Sequence, residues 1–180
     1  FNKEGHDTCS PASGFDTSFL SRINLETNVI DALYPVGAVP KVVKVTPDNK
    51  YILVSNWCSY TVTVISVETQ KTVKSIKIGR YPRGISVSSD SKYAYVAEMG
   101  GNRIHRINLE DFTVSYIPIG SNPRAISLSA DDTKLYATLN ISGKVIAWDL
   151  QTNKAIKTVA TGKSARSLAI SSDGSALFVV

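Results

Sequence analysis

The sequence predicts an all-β protein built from repeated four-stranded antiparallel sheets, and three observations support this fold class. A Gly-x-x-Pro motif recurs at intervals of 42, 41 and 42 residues. An aspartate follows each proline position after eight residues, within a short polar segment. The apolar residues between these markers form short alternating runs, a pattern typical of strands. Spacing that is kept over four copies indicates a repeat architecture.

The glycine and proline of the motif mark the connections between repeats. Alanine replaces the proline in the last of the four copies, which begin at Gly37, Gly79, Gly120 and Gly162. The repeated aspartates are expected to form turns, because their side chains cap backbone amides. They are Asp48, Asp90, Asp131 and Asp173. Each repeat is therefore predicted to start with a connection, continue into a first strand and turn at its aspartate.

Each period contains four predicted strands, and the fourth is expected to lie at an open outer edge. Strand two is apolar on both faces in "YILVS" and "YAYVA", as expected for a strand inside a stack of sheets. Strand four instead carries Pro35, Lys77 and Pro118 at one repeat position. Proline or lysine at an open edge prevents pairing with strands of other chains. The same edge is thus protected in three copies.

Four-stranded antiparallel sheets that repeat about every 40 residues are the signature of a β-propeller, in which the sheets pack face to face around an axis. Residues 1–17 show no strand pattern and are predicted to be an irregular segment. The remainder divides into a partial blade, three full blades and a second partial blade. The predicted bounds are 18–36, about 40–78, 82–119 and 123–161, and 165–180.

Two stretches carry a resemblance to a known family. "PRGISVSSDSKYAYVAE" and "NWCSYTVTVISVETQKTVKSIKIG" resemble the YVTN-type propeller repeat, and the match covers nearly the whole chain from Ser18. Glu98 departs from the consensus asparagine, which we assign to Asn56 and Asn140 in the other blades. The resemblance implies a propeller of about seven blades, similar to periplasmic and cell-surface proteins. It identifies a fold far better than a function.

The blade count leaves two arrangements open. The chain is expected either to be a piece of a larger propeller or, as the less favoured alternative, to close a four-bladed ring. In that ring the last two strands would join the first two in one composite blade. A piece with bare terminal blades would expose apolar faces, so it is expected to pack on the rest of its propeller or to self-associate.

One face of the predicted propeller is basic. The connection between blades and the loop between strands two and three share this face, which we call the top face. A cation follows the proline position in every repeat, giving a predicted basic ring at the axis: Lys41, Arg83, Arg124 and Arg166. Such a ring attracts an anionic ligand or an acidic protein partner. The alternative is local pairing of Arg83 with Glu98, and of Lys41 and Arg124 with Asn56 and Asn140.

Further candidates lie in the predicted loops of the top face. Trp57 and Tyr60, with Met99 in the corresponding loop of the next repeat, are a possible contact patch, although packing beneath the loop is the alternative. Cys9 and Cys58 match no metal-binding spacing and no C-x-x-C motif, so they are either two thiols or one disulfide. A disulfide would indicate an oxidising compartment.

Composition limits the possible partners. The formal net charge is +5 over 180 residues, which falls short of a nucleic-acid-binding signature unless the charge is clustered. The sequence also lacks an apolar run long enough to span a bilayer. We therefore expect no specific nucleic-acid binding and no transmembrane segment.

Support for catalysis is weak. His105 lies in the middle of a predicted strand and His6 has no surrounding ligand cluster, and phosphate loops and nucleophile elbows are absent. We assign no catalytic residue and expect neither a metal nor a cofactor. The favoured function is a non-enzymatic, extracytoplasmic binding or scaffolding module that uses its basic top face. The alternative is part of a propeller enzyme, lactonase-like or cofactor-carrying, with an anionic substrate at the axis.

Overall fold

The structure, a computed structural model, describes Cys9 and residues 18–180. These residues form sixteen strands in five antiparallel sheets, which we call blades 1 to 5 in chain order. The irregular segment predicted for residues 1–17 lies, apart from Cys9, outside the described part. Blade 1 has two strands, β1 (Ser18–Asn24) and β2 (Val29–Val36).

Blades 2 to 4 are complete four-stranded sheets, and each follows the strand order of a meander. Blade 2 contains β3 (Pro40–Val45), β4 (Tyr51–Asn56), β5 (Thr61–Ser66) and β6 (Thr72–Lys77). Blade 3 contains β7 (Pro82–Val87), β8 (Tyr93–Glu98), β9 (Ile104–Asn108) and β10 (Val114–Ile117). Blade 4 contains β11 (Pro123–Leu128), β12 (Lys134–Leu139), β13 (Lys144–Asp149) and β14 (Lys154–Ala160). Blade 5 has β15 (Leu168–Ile170) and β16 (Leu177–Val179).

The core lies between blades rather than inside one sheet. Side chains of blades 2 and 3 form one apolar cluster, which includes Leu53, Val64 and Ile107. A second cluster joins blades 3 and 4 around Ile104 and Trp148. The first strands of successive blades contact one another, β3 with β7, β7 with β11 and β11 with β15, which makes them the inner strands. Burial of both faces explains why strand two is apolar on both sides.

The aspartate turns have the same hydrogen bonds in all four copies. A Ser or Thr hydroxyl two residues earlier donates to each aspartate Oδ1, as from Ser88 to Asp90 at 2.7 Å. The same carboxylate oxygen accepts the backbone N–H two residues later, as from Lys92 at 3.0 Å. These bonds lower the pKa of Asp131 to about 2. The turns thus close the face opposite the top face.

The sheets confirm the predicted all-β propeller class and decide between its two arrangements. The first pair of strands, β1 and β2, and the last pair, β15 and β16, belong to different sheets. The composite blade of a four-bladed ring is therefore not formed, because the end strands do not hydrogen-bond to each other. The arrangement fits part of a larger propeller.

Candidate functional site

The four cations of the predicted ring occupy equivalent places at the top of the inner strands. Lys41 is the second residue of β3, Arg83 that of β7 and Arg124 that of β11. The spacing between neighbouring blades is tight here, because a Cβ built on Gly84 would lie 2.6 Å from the Arg124 carbonyl oxygen. Arg166, just before β15, is exposed, whereas the other three are half-buried. The inner strands therefore present a row of positive charges.

An aromatic cluster lies beside this row. The ring of Trp57 stacks on Tyr81 with centroids 4.6 Å apart, and Tyr60 meets Tyr81 edge to face at 5.6 Å. Trp57 comes from the loop after β4, whereas Tyr81 comes from the connection that leads into blade 3. The cluster consequently fixes the top of blade 2 against blade 3.

Cations cover the same aromatic cluster. Lys41 Nζ and the Arg83 guanidinium carbon both lie 5.5 Å from the Trp57 ring centroid. The Arg80 guanidinium lies 5.2 Å from the ring of Tyr81. Cation–π contacts of this length are stabilising, and they hold long side chains at defined places. Two members of the predicted ring thus share one indole ring.

The predicted contact patch changes in composition when burial is considered. Trp57 and Met99 are each only 7% exposed, so they pack beneath their loops and offer a partner little surface. Tyr60 stays half-exposed, and the equally half-exposed Tyr81 joins it. Tyr81 was missed in the sequence, where the only signal was an aromatic residue beside Arg80 in the connection "GRYP".

Glu98 is the centre of a charged cluster at the top of blade 3. Its Oε2 lies 2.9 Å from His105 Nε2 and 3.4 Å from Arg103 Nε. Its Oε1 accepts the backbone N–H of Arg80 at 3.2 Å. Arg83, the partner suggested from the sequence, lies against the Trp57 ring, and its pairing with Glu98 stays a prediction.

Burial dominates the titration of His105. The side chain is 11% exposed, and loss of hydration lowers the pKa of His105. The Glu98 carboxylate opposes this shift, although less strongly. His105 is therefore a packed partner of Glu98, as the sequence position in mid-strand suggested.

One asparagine contact expected from the sequence is wrong. Asn56 donates to Thr61 and Thr63 at 3.1 and 2.8 Å, and its buried Oδ1 has no hydrogen-bond partner, so Lys41 does not bind it there. Asn140 donates to the backbone carbonyl of Ala165 at 2.9 Å.

The register of blade 4 shows that Asn140 does not take the repeat position expected from the sequence, whereas its pairing with Arg124 stays a prediction. Pro40 pairs with Asn56, Pro82 with Glu98, but Pro123 with Leu139. Leu139, rather than Asn140, therefore occupies the position of Asn56 and Glu98.

Cys9 and Cys58 form a disulfide in the structure, with Cα atoms 5.0 Å apart. Cys58 follows Trp57 in the loop of the top face, so the disulfide brings Cys9 to that face. The two cysteines are separated by 49 positions, and the cross-link closes a long loop.

Metal ligands do not cluster within the part of the chain that the structure describes, where no group of three His, Cys, Asp or Glu side chains could hold an ion. Among the same residues, none of the secondary-structure elements is a helix suited by length and hydropathy to crossing a membrane.

The fold and the repeated top face define the class of protein as a β-propeller. Residues 12–90 match the family model described as YNCE-like beta-propeller, and this confirms the resemblance to propellers of the YVTN type. The sequence matches none of the curated proteins with which it was compared.

Two solved structures share the fold. Hydrazine synthase of Kuenenia stuttgartiensis is 26% identical with a TM-score of 0.84, over 89% of this chain and 49% of that one. A functionally unknown protein from Desulfotomaculum acetoxidans DSM 771 is 18% identical with a TM-score of 0.77, over 92% of this chain and 56% of that one. The chain thus spans about half the length of either structure.

Proposed function

We propose that this chain is part of an extracytoplasmic propeller that binds an acidic partner or anionic ligand through its basic top face. The observation that carries the proposal is the distribution of charge. The described cations of the top face include Lys41, Arg80, Arg83, Arg103, Arg124, Lys144, Lys163 and Arg166. Among the described residues, Glu98 is the acid on that face, and Arg103 and His105 already contact it.

The opposite face has a different balance. Its turns carry the four capping aspartates together with several lysines, so opposite charges alternate there. The four capping aspartates of that face also accept hydrogen bonds within their own turns. A long-range attraction for anions therefore belongs to the top face.

The disulfide supports the proposed location. Bonds between cysteines persist in oxidising compartments and are rare in the cytosol, where thiols are kept reduced. The Cys9–Cys58 disulfide ties the chain to the top-face loop of blade 2. A periplasmic, secreted or cell-surface location is consistent with this cross-link.

A matched pair of charge variants tests the proposal. The top-face variant carries Arg80→Gln, Lys163→Gln and Arg166→Gln, all at exposed positions. The control carries Lys71→Gln, Lys92→Gln and Lys154→Gln on the opposite face, so both variants lose three charges. Binding of a fluorescein-labelled decaglutamate peptide is measured by anisotropy at low and high salt.

We expect the top-face variant to bind the peptide about tenfold more weakly at low salt, and the control to bind much like the unchanged protein. The difference should shrink at high salt, because exposed charges are screened. Equal weakening in both variants, or an unchanged protein that does not bind the peptide at low salt, would refute the assignment to the top face.

The similarity to hydrazine synthase favours a second candidate, an enzyme subunit with an anionic substrate or a cofactor at the axis. The test uses the natural full-length protein, its visible absorption spectrum, and assays for hydrazine formation and lactone cleavage. An absorption band or either activity would support this candidate, and the peptide assay would still report separately on the top face.

A further inference from the structure

Two blades carry an arginine at the same position of strand three, away from the top face. In blade 1, β1 is the strand that corresponds to strand three of a complete blade. Arg22 in blade 1 and Arg106 in blade 3 occupy equivalent positions, each two residues before the asparagine that starts the turn to strand four. In the register, Arg22 pairs with Ala32 and Arg106 pairs with Ser115. The two blades therefore place the same side chain in the same backbone setting.

Blade 1 shows what this arginine binds when a partner is present. A β-bulge follows the pairing of Arg22 and Ala32, and the extra residue is Asp31. The Arg22 guanidinium donates to both Asp31 carboxylate oxygens, from Nε at 2.7 Å and from Nη2 at 3.1 Å. Bidentate contacts of this kind are the strong form of the arginine–carboxylate interaction.

Blades 2 and 4 have a bulge at the same place, with apolar residues at the positions of the arginine and the aspartate. The extra residue is Val73 in blade 2, where Val64 pairs with Lys74, and Ile156 in blade 4, where Ala147 pairs with Lys157. The bulge residue is therefore apolar in the two blades with an apolar residue on strand three, and acidic in the blade with arginine there.

Blade 3 retains the arginine but lacks the bulge. The pairing of β9 with β10 is regular from Arg106–Ser115 to Ile107–Val114, so no residue corresponds to Asp31. The Nε atom of Arg106 is buried and has no hydrogen-bond partner among the described residues. The guanidinium carbon lies 3.8 Å from the ring centroid of Tyr93, which fixes its plane. A buried donor without a partner is costly.

A cavity of about 390 Å³ opens at this place. Its walls are mostly polar: Tyr93, Arg106, Asn108, Thr113, Val114 and Ser115. The volume falls in the range of small-molecule sites. Two acids, Asp90 and Asp132, act on neighbouring Tyr95, and both are engaged elsewhere. Asp90 accepts hydrogen bonds within its own turn, and Asp132 accepts two from Ser89, at 2.7 and 2.6 Å.

We propose that the Arg106 cavity binds the carboxylate of a small organic acid, in the place that the Asp31 carboxylate takes in blade 1. The ligand carboxylate accepts from the Arg106 guanidinium, while the side chains of Asn108, Thr113 and Ser115 offer further polar contacts in the cavity. The site is independent of the top face and therefore of the function proposed above.

The test uses the full-length protein and N-acetylaspartate, with N-acetylasparagine as the analogue of the same shape. Both compounds are used as their α-amides, so that the aspartate compound carries one carboxylate and the asparagine compound is uncharged. The side-chain Nε–H resonances of Arg106 and Arg22 are followed by ¹H–¹⁵N NMR during titration. We expect N-acetylaspartate to shift the Arg106 resonance in a saturable way and N-acetylasparagine to leave it in place. The Arg22 resonance is the internal control, because Asp31 already occupies that guanidinium.

Two variants separate a binding role from a structural one. Arg106→Lys keeps the charge but loses the bidentate geometry, so the dissociation constant should rise at least about tenfold. An aspartate inserted between Val114 and Ser115 recreates the bulge of blade 1 and should abolish binding by occupying the guanidinium. Lys154→Gln, at an exposed position of blade 4, should not affect binding of N-acetylaspartate.

Three results with the unchanged protein would overturn the proposal. They are the absence of saturation with N-acetylaspartate at concentrations up to about 10 mM, equal shifts of the Arg22 and Arg106 resonances, and equal affinity for N-acetylasparagine. Unchanged affinity in Arg106→Lys would also overturn it, and this variant leaves the fold testable because its charge and stem are retained.

Discussion

Blades 2 and 3 differ in a pair of contacting side chains beneath the connection between blades. One member of the pair lies at the end of strand two and the other lies on strand three. In blade 2, Asn56 hydrogen-bonds Thr63 at 2.8 Å. In blade 3, Glu98 contacts His105 at 2.9 Å. Blade 4 has leucine and isoleucine, Leu139 and Ile146, at the same two places. The position thus accepts neutral polar, ionic or apolar chemistry, provided that both members match.

The loops above this position differ in the same two blades. Cys58 and Gly100 are equivalent, since each donates its backbone N–H to the connection, to Ala38 and Arg80 respectively. A Cβ on Gly100 would lie 2.6 Å from the Arg80 Cβ, which leaves no space for a side chain. Blade 2 therefore carries a covalent cross-link at a place where blade 3 packs backbone against backbone.

The largest expected effect is loss of the cross-link of blade 2. Replacing Cys9→Ser and Cys58→Ser should lower the free energy of unfolding by about 3 kcal/mol, because the unfolded chain regains the entropy of a long closed loop. Urea unfolding measures the change. A reducing agent should lower the stability of the unchanged protein similarly and leave the variant unaffected, and stability that is insensitive to both treatments would contradict the prediction.

The next effect is in blade 3, where Glu98→Leu should cost about 2 kcal/mol, because His105 and the Arg80 N–H lose their acceptor in a mostly buried site. Adding His105→Ile recreates the apolar pair of blade 4 and should restore most of this loss. The measurement is a double-mutant cycle by urea unfolding. If the free-energy changes of the two substitutions simply added, Glu98 and His105 would not be coupled, which would contradict the prediction.

The smallest expected effect is a pH dependence of the stability, which His105 gives to blade 3 and which Thr63, at the same position, does not give to blade 2. Because burial lowers the pKa of His105, the unfolded chain binds a proton more readily than the native chain below about pH 6.5. The stability that depends on neutral His105 is therefore present above that pH, and it is lost as the pH falls towards the lowered pKa of His105 in the native chain. The double change Glu98→Asn and His105→Thr introduces the blade 2 pair and should remove this part of the pH dependence.

Unfolding midpoints at about pH 7.5 and about pH 5.5 measure the difference. The unchanged protein should lose more stability on acidification than the variant. A gain of stability in the unchanged protein would show that the Glu98 carboxylate, rather than burial, dominates His105.

Much of the fold could be predicted because its signals are local. The capping aspartates act through hydrogen bonds to residues within a few positions, and alternation of apolar residues reports burial of one strand at a time. The repeat then multiplies each signal. The basic ring could be named for the same reason, since Lys41, Arg83, Arg124 and Arg166 follow the proline position.

The sequence could not show how these cations are arranged. Asn140 was assigned one place too early, because "TLN" in blade 4 resembles "VSN" at the end of strand two in blade 2. The register instead ends the strand at Leu139, and a loop of four residues follows in both blades. The stack of Tyr81 on Trp57 joins two blades, and no pattern within one repeat indicates it.

The sequence by itself determined the period, the strands, the turns and the position of the cations in each repeat, because neighbours along the chain create those features. Tertiary structure decided the partners: Glu98 with His105 and Arg103, Cys9 with Cys58, and Arg106 facing a cavity instead of a carboxylate. Each of these depends on register or on contact between segments distant along the chain. Such contacts form only when sheets pair and blades pack, since a bulge of one residue changes which side chains can meet.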